Sequence, residues 1–349
     1  MKKIIFTLSA ALIAGSVSAQ MVSSTQIFVS EGAVMSVGQD FQNKGQLTNN
    51  GKVHFRKNVS NDGQLQSEGL VVFDGFDKQT VSGTSDVVLS NATIENNVDL
   101  TTALLINKEL NYNKGIVSSS ENSPLVFASN AKYNGASDFS HSTGVVTKLD
   151  ANNFEFPVGD GSTYRGVVAN SSKRSALSAE YKSQNPTKFS KVLENGVDYV
   201  NENEYWVLKS SDENDIATVR LQGTYESNVA FLKKNTWSMS ENGVFDKNNG
   251  LEKGVMFTSG RGKYIKKDIG VWPNPTQGDF NLKLAGMNDN DDVSVDVTNQ
   301  DGRVVLNMKG TVNELRRVYS LPGFLVTTEL TVRVINGTEV LTEKLILNR

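Results

Sequence analysis

The spacing of glycines near the N-terminus constrains the fold of this 349-residue chain more than any other feature. Gly45 and Gly63 lie 18 residues apart, and so do Gly51 and Gly69. The apolar residues between them repeat with the same period, as three pairs show: Leu47 with Leu65, Val53 with Val71, and Phe55 with Phe73. A fixed period with alternating apolar residues and Gly, Asn or Asp at the corners is typical of a β-solenoid, whose coils stack their inward side chains.

Two interpretations of this region stay open. Asn50-Gly51 and Asp62-Gly63 are also hairpin signals, so an antiparallel meander fits the same turns. Equal spacing of whole blocks favours the solenoid, because stacked coils need equal lengths and hairpins do not. We therefore predict a short N-terminal β-solenoid, with coils of about 18 residues, over residues 20–130. Its corner glycines are expected to supply backbone angles that other residues avoid.

The remainder of the chain keeps strand-like patterning without the period. Residues 131–262 contain short apolar segments separated by Asn-Gly turns, which predicts a central β-sandwich. Trp206 and Trp237 lie within or beside these segments, so we expect both in the core. A basic stretch at 263–270 is interpreted as a linker, and residues 271–349 carry six strand-like segments that predict a small Ig-like β-sandwich. The predicted fold class is all-β.

The first 19 residues have the pattern of a secretory signal peptide. Two lysines precede an apolar run from Ile4 to Val17, and small residues end at Ala19 before Gln20. We expect cleavage between Ala19 and Gln20, which removes the signal peptide, residues 1–19. The apolar run is short for a membrane span, and no second run follows, so the mature chain is predicted to have no transmembrane segment.

Charge and cysteine content exclude several classes of protein. The chain has no cysteine, which excludes disulfide staples and a lipid anchor on an N-terminal thiol. The net charge of −3 becomes −5 when the two signal-peptide lysines are removed, and the charges are interspersed. Such a balance provides no basic surface for nucleic acid or an anionic membrane.

The sequence assembles no recognisable catalytic centre. His54 and His141 are its two histidines, and His54 lies between Val53 and Phe55, so it is expected to point outward into solvent. Asp74 and Asp77 lie where the repeat slips and are interpreted as solvated turn residues rather than a glycosidase pair. We predict no catalytic, cofactor-binding or metal-binding residues.

An acidic loop near the C-terminus is the remaining candidate for a bound ion. It contains Asp289, Asp291 and Asp292 together with Asn288 and Asn290. Oxygen-rich loops hold calcium, but the glycine and glutamate positions of the helix-loop calcium motif are missing. A solvated loop is the preferred interpretation.

The C-terminal segment resembles a known family. Trp272-Pro273-Asn274-Pro275 begins it, with Gly278 and Phe280 close behind; Asp301-Gly302-Arg303 follows, and Lys344-Leu345-Ile346-Leu347 lies near the end. This order is similar to the A-type sorting domain of the type IX secretion system, used by bacteria of the Bacteroidetes group. The residues that carry the resemblance are Pro273, Asn274, Pro275, Gly278, Asp301, Gly302, Arg303 and Lys344. Two prolines fix the backbone and withhold amide donors, and Gly278 permits a sharp turn.

The resemblance implies an export route. A protein of this kind crosses the inner membrane by its signal peptide and the outer membrane through the type IX machinery, and is then attached to surface lipopolysaccharide or released. One departure is Leu321-Pro322-Gly323-Phe324, where the family usually has Leu-x-x-Gly-x-Tyr. The segment from Phe154 to Gly159 is also similar to surface proteins of the same bacteria, which implies no particular activity.

Two function classes follow from the sequence. The first is a non-enzymatic surface or secreted protein, an adhesin-like scaffold that contacts glycans or other surface proteins. The second is an extracellular protein that binds or cleaves carbohydrate, with Tyr164, Arg165 and Tyr205 as the residues to test first. The absence of clustered titratable residues favours the scaffold.

Overall fold

The computed structural model describes residues 20–221, 229–337 and 339–349. Strands make up 56% of the described residues and helices 3%, so the predicted all-β class is confirmed. Within these ranges, no helix is long and apolar enough to cross a membrane. The predicted signal peptide, which ends at Ala19, lies outside the described residues, and Gln20 is the first residue of the first strand.

The N-terminal part of the fold consists of short strands that pair in parallel. They are β1 Gln20–Ser23, β2 Gln26–Val29, β3 Val34–Val37, β4 Asp40–Asn43, β5 Gln46–Asn49, β6 Lys52–Phe55, β7 Val59–Asn61, β8 Gln64–Phe73, β9 Gln79–Ser82, β10 Val87–Ile94, β11 Val98–Leu100, β12 Leu104–Tyr112, β13 Gly115–Ser118, β14 Leu125–Phe127, β15 Lys132–Asn134, β16 Ser140–Thr143 and β17 Val146–Lys148. They wind into about six coils.

The register of these strands matches the predicted period. One row of the solenoid contains β1, β4, β7, β9, β11, β13 and β16. Two further rows begin at β2 and β3 and merge at β8, whose first half pairs with β5 and second half with β6. Val53 lies beside Val71, and Phe55 beside Phe73. The β-solenoid is therefore confirmed, and the alternative meander is wrong for this region.

Stacked side chains hold neighbouring coils together. The ring centroids of Phe55 and Phe73, which lie one coil apart, are separated by 6.2 Å. Phe55 also packs within its own coil against Phe41, with centroids 5.4 Å apart. At a corner, the side-chain amide of Asn43 donates to Oδ1 of Asn61 at 2.8 Å, and both side chains are buried. The coils thus repeat an apolar column and a polar column, because each residue meets its counterpart one period later.

The repeated glycines provide space rather than unusual backbone angles. A Cβ on Gly69 would lie 2.1 Å from the carbonyl oxygen of Gly51, and one on Gly63 would lie 2.2 Å from that of Gly45. None of these four glycines has a positive φ. For these four the expected role is wrong, because the backbones of successive coils approach so closely that a side chain does not fit. In later coils Gly83 and Gly115 do have a positive φ, of 127° and 97°.

The central region continues the strand count. Its strands are β18 Phe154–Phe156, β19 Val167–Ser171, β20 Leu177–Lys182, β21 Val197–Val200, β22 Tyr205–Ser210, β23 Ala217–Leu221, β24 Val229–Lys233, β25 Thr236–Met239, β26 Val244–Phe245 and β27 Val255–Gly262. Short 3-10 turns occur at Pro186–Lys188 and Lys247–Asn249. The structure describes β23 as far as Leu221.

Two sheets face each other in this region. One contains β18, β19, β23 and β26, and the other continues the solenoid sheet through β20, β22, β27, β24 and β25. Phe245 of the first sheet packs against Phe231 and Phe257 of the second, with centroids 5.5 and 5.4 Å apart. Trp206 and Trp237 are buried, which confirms their prediction as core residues.

The solenoid merges with this sandwich without a gap. Parallel pairing runs past residue 130, the predicted end of the coils, to β17, which then pairs antiparallel with β20. One hydrophobic core extends from Val29 to Phe257. The predicted boundary falls inside this core because β16 and β17 still add to the parallel rows after the sequence period has been lost.

A buried lysine closes the last coils. The Lys148 amine donates to the carbonyl oxygens of Ala128, Ser129 and Ala131 at 2.5, 2.8 and 2.8 Å, and it lies 5.0 Å from the ring centroid of Phe154. Burial lowers the pKa of this amine. The three carbonyls compensate for the loss of water, so the lysine fixes the loop between β14 and β15.

A buried carboxylate ties the two central sheets together. Asp215 is 1% exposed and accepts hydrogen bonds from Ser171 at the end of β19 and from Ser210 at the end of β22, each at 2.8 Å. The backbone N–H of Ile216 donates to its other oxygen, also at 2.8 Å. A buried carboxylate is stabilised only when it is fully hydrogen-bonded, and these donors come from both sheets.

The C-terminal domain is a small sandwich with its own core. Its elements are β28 Asp268–Trp272, β29 Asp279–Ala285, β30 Asp292–Thr298, β31 Val304–Thr311, α1 Val312–Leu315, β32 Val318–Ser320, β33 Thr328–Asn336 and β34 Glu339–Leu347. One sheet has the order β28-β29-β32 and the other β31-β30-β33-β34. The predicted linker at 263–270 overlaps β28, whose inward residues Ile269 and Val271 pack into the core of this domain.

Candidate functional site

The Pro-Asn-Pro turn of the C-terminal domain lies against the last strand. Asn274 donates from its side-chain amide to the carbonyl of Lys344 at 2.7 Å and accepts from the N–H of Ile346 at 2.9 Å. Thr276 extends this pairing, since its N–H donates to the carbonyl of Ile346 at 2.8 Å. The two ends of the predicted sorting motif therefore form one hydrogen-bonded unit, in which the side-chain amide of Asn274 pairs with the backbone of β34.

Arg349 fastens the same unit to a neighbouring loop. Its guanidinium donates to four carbonyl oxygens, those of Gln277, Leu321, Pro322 and Leu325, at 2.9 to 3.2 Å. Hydrogen bonds from a charged donor are worth about 1.5–3 kcal/mol each, less where the group is exposed. The loop that departs from the family pattern is thus held in place by the last residue of the sequence.

The other predicted motif residues lie elsewhere in the domain. Asp301, Gly302 and Arg303 form the turn between β30 and β31, where the Asn299 side chain accepts from the N–H groups of Asp301 and Arg303. Lys344 makes an exposed ion pair with Glu329 at 2.9 Å. Among the described residues, no hydrogen bond links the Asp301 turn to the Pro-Asn-Pro turn. The sequence order of the motif therefore does not correspond to one spatial cluster.

Comparison with known families addresses this domain directly. A family model described as a secretion system C-terminal sorting domain matches residues 270–348. The chain carries a type IX secretion sorting domain. The match begins within β28 and ends one residue before Arg349, so it covers the two-sheet sandwich described above. A search of the curated proteins gives no match for the chain.

The sorting domain defines the destination of the protein. It implies interaction with the type IX secretion machinery and delivery to the cell surface or the extracellular space. This agrees with the export route that the sequence resemblance implied. The Bacteroidetes source and the signal peptide stay predictions.

Polar contacts join the sorting domain to the central sandwich. The Lys267 amine contacts Glu194 of the central region at 2.9 Å and Glu339 of β34 at 3.0 Å. Lys233 of β24 contacts Glu339 at 3.3 Å. Burial alone would raise the pKa of Glu339, but Lys267 and Lys233 outweigh it and hold this pKa below its ordinary value. The two domains thus have separate apolar cores and a charged contact between them.

This contact is expected to weaken in acid. Because the pKa of Glu339 is lower when the domains are docked, its stabilisation is complete above about pH 4.5 and is lost as the pH falls. Glu339→Gln should lower the melting temperature of the sorting domain by about 5 °C at pH 7, for a loss of about 1 kcal/mol. In calorimetry, the difference in melting temperature between the variant and the wild type should be smaller at pH 3.5 than at pH 7.

The matched control for this prediction is Glu329→Gln. Glu329 pairs with Lys344 on the exposed face of the sorting domain and does not bridge the domains. Its substitution should change the melting temperature little, since exposed ion pairs contribute about 0–1 kcal/mol. An equal effect of Glu339→Gln at both pH values would contradict the ionic contact.

The central region contains a second candidate site, an open cleft of about 500 Å³. It is lined by Lys132, Tyr133, Asn134, Asn153, Phe154, Glu155 and Tyr164, among others. The Tyr164 hydroxyl donates to Glu155, and its oxygen lies 3.2 Å from that of Tyr133. Burial, followed by the charge and hydrogen bonds of its neighbours, raises the pKa of Tyr164 far above its ordinary value. Aromatic rings, amides and a carboxylate thus meet in one cleft.

The other residues singled out for carbohydrate contact lie outside this cleft. Arg165 pairs with Glu204 at 3.0 Å, and Glu204 also accepts from the Tyr181 hydroxyl at 2.8 Å. Tyr205 is 5% exposed and therefore offers little surface to a ligand. It packs edge-on against Phe189 instead. Of the three candidates, only Tyr164 lines a cleft, and its partners Tyr133 and Glu155 were not foreseen.

Both histidines have structural partners. His54 points away from the solenoid core, as expected, but it is held by Asp74, with Nδ1 and Oδ2 2.8 Å apart. His141 is fully buried; its Nε2 accepts from the N–H of Gly161 at 3.0 Å, so its Nδ1 donates to the carbonyl of Ser137 at 2.8 Å. This fixes the neutral Nδ1–H tautomer of His141.

The acidic residues noted in the sequence are also paired. Asp77 contacts Lys57 at 2.6 Å. Asp289 contacts Arg316 at 2.6 Å, and Asp291 accepts from the Asn288 N–H and the Asn336 side chain, each at 3.2 Å. These hydrogen bonds account for the conformation of the acidic loop by protein groups alone.

Proposed function

We propose that this protein is a non-enzymatic scaffold, delivered through type IX secretion to the cell surface or the medium. The observation that carries the proposal is the single core that runs from Val29 to Phe257 beneath a 16-stranded sheet. A continuous core makes the coils and the sandwich one stiff unit, because neither can open without exposing the other. A rigid body ahead of a separately folded sorting domain is suited to present its loops outside the cell.

The polar residues of the central region support this proposal. Asp215 binds serines from both sheets, His141 binds two backbone groups, and Lys148 binds three carbonyls. Each of these side chains would lose its structural partners if it took part in proton transfer or nucleophilic attack. Their hydrogen bonds are typical of groups that stabilise a fold.

A carbohydrate-binding role is the second candidate, and the cleft at Tyr133, Phe154 and Tyr164 favours it. Aromatic rings beside amides and a carboxylate offer a sugar both an apolar face and hydrogen-bonding groups. Binding there is compatible with a scaffold. It would make the protein an adhesin for surface or matrix glycans.

The purified fragment 20–262 provides the test, since it contains the continuous core. On a panel of polysaccharides we expect no hydrolysis above that of buffer, measured as released reducing ends. Hydrolysis that persists after repurification would overturn the non-enzymatic proposal. On a glycan array, saturable binding that Tyr164→Ala abolishes would establish the second candidate. Tyr199→Ala is the matched control, because Tyr199 is 45% exposed and lies on β21, away from the cleft residues.

A further inference from the structure

The first coil of the solenoid has three open strand edges. Within the part of the chain that the structure describes, from Gln20 onward, β1, β2 and β3 each pair with one neighbour, namely β4, β5 and β6. In the row of β1, every later strand from β4 to β13 is paired on both sides. An unpaired edge presents N–H and C=O groups that can pair with another chain, and natural proteins usually protect such edges.

Each strand of this coil presents one exposed apolar side chain next to one exposed polar side chain, which is Gln20 in β1, Gln26 in β2 and Ser36 in β3. Val22, Phe28 and Val34 are 47%, 58% and 66% exposed. In the next coil their register partners are polar: Gln42 beside Val22, Thr48 beside Phe28, and Lys52 beside Val34. The change from apolar to polar occurs within one coil, so the exposed apolar residues form a ring at the open end.

Val22, Phe28 and Val34 also carry the backbone N–H and C=O groups that face the open end of the solenoid. The carbonyls of Ser23, Val29 and Ala33 accept from the second coil, at 2.7, 2.8 and 2.9 Å. Carbonyls alternate in direction along a strand, so those of the adjacent Val22, Phe28 and Val34 point to the open side. The inward residues Met21, Ile27 and Met35 are only half-buried, whereas Phe41, Leu47 and Val53 below them are fully buried.

The usual protection of an edge is missing from this coil. Residues 20–39 contain one charged residue, Glu31, and no Lys, Arg or Pro. The second coil, residues 40–57, contains five charged residues: Asp40, Lys44, Lys52, Arg56 and Lys57. Lysine and proline are common devices against edge pairing, and a β-bulge is another. The first coil therefore carries one charged residue where the second carries five, and it suits a partner surface of equally low charge.

We propose that the first coil is a dimerisation surface, on which the first coil of a second copy of this chain stacks head to head. A single extended peptide would cover one of the three edges, whereas a second first coil offers three edges and three apolar side chains at once. The two copies are related by a twofold axis perpendicular to the solenoid axis. Across it, one strand of the first coil pairs with the same strand of the second copy, and the other two strands pair with each other. No open edge is left, so the assembly closes as a dimer. The surface of about 20 residues per copy is within the usual size of a stable interface.

The consequence is a rod of double length with a sorting domain at each end. This extends the proposed scaffold function by making it divalent, and it needs residues 1–19 to be removed so that β1 begins the chain. If the scaffold proposal failed, the dimer would still be measurable, because the measurement below reads mass and not binding or activity.

The first experiment measures the mass of the exported, processed chain. Light scattering after size exclusion should give twice the chain mass, with residues 1–19 shown to be absent by intact mass. Phe28→Pro should give the single-chain mass, since it removes an N–H that faces the open side and no ladder hydrogen bond. Phe76→Thr is the control and should stay dimeric, because Phe76 is 97% exposed but lies outside the first coil.

Cysteine variants give a second reading that does not depend on Phe28→Pro folding. The chain has no cysteine, so Val22→Cys, Phe28→Cys and Val34→Cys each introduce a single thiol. At least one should form a disulfide-linked dimer on mild oxidation, and Phe76→Cys should not. A single-chain mass for the processed protein at all concentrations would overturn the proposal. So would a ladder of larger species in place of a closed pair.

Discussion

Removal of residues 268–349 is expected to leave the protein in the periplasm. The sorting domain has an apolar core of its own, and its contact with the central sandwich is made by the charged residues Lys267, Glu194 and Glu339. Truncation before β28 therefore removes the sorting domain without opening the core that runs from Val29 to Phe257. Labelling of intact cells should fall to the background of cells without the protein, and the periplasmic fraction should gain it.

Two point variants sharpen this result. Asn274→Ala removes both hydrogen bonds between the Pro-Asn-Pro turn and β34. It should lower the surface signal if the machinery recognises the joined unit. Asn307→Ala is the matched control, since Asn307 is an exposed amide on β31 that bonds Asp296 outside the predicted motif.

The folding of the truncated protein shows whether a loss of surface labelling reflects failed export or failed folding. The purified fragment 20–267 should melt cooperatively, because it keeps the whole N-terminal core. Unchanged surface labelling after the truncation would contradict the sorting role. A fragment that no longer folds would show instead that the two domains depend on one another, contrary to their separate cores.

The sequence predicted those features that repeat or that follow a local rule. Stacked coils force each residue to meet its counterpart one period later, so the pairs of Val53 with Val71 and Phe55 with Phe73 could be derived from spacing alone. The sorting domain was recognised by its resemblance to a known family, which is carried by prolines and glycines at turn positions. Both predictions rest on short-range constraints.

Contacts between distant residues could not be derived in this way. Asp215 meets Ser171, 44 residues away, and the Lys209 amine meets Glu121, 88 residues away. No local pattern marks Asp215 as buried, since aspartate before an apolar strand is common in exposed turns. The cleft likewise joins Tyr133 to Tyr164, and only the merging of the two sheets brings them together.

Gly69→Ala is expected to unfold the first coils. Its Cβ would lie 2.1 Å from the carbonyl oxygen of Gly51, and backbone atoms at that position cannot rotate away. The coils must separate there, which breaks the 2.9 Å hydrogen bond from the N–H of Leu70 to that same carbonyl. We expect a loss of about 3 kcal/mol or more, at the upper end of overpacking costs. Hydrogen exchange at Leu70 and at earlier coils should accelerate, while β22 stays protected.

Two control glycines show whether a steric clash or an unfavourable backbone angle causes the loss of stability. Gly38 has an ordinary φ and Gly32 a φ of +76°, and a Cβ on either meets nothing within 4 Å. Gly38→Ala should therefore be neutral or stabilise by up to about 1 kcal/mol, through the reduced entropy of the unfolded chain. Gly32→Ala should cost about 1 kcal/mol, from strain alone. If Gly32→Ala proved more harmful than Gly69→Ala, backbone angle rather than the close approach of stacked coils would explain the repeated glycines.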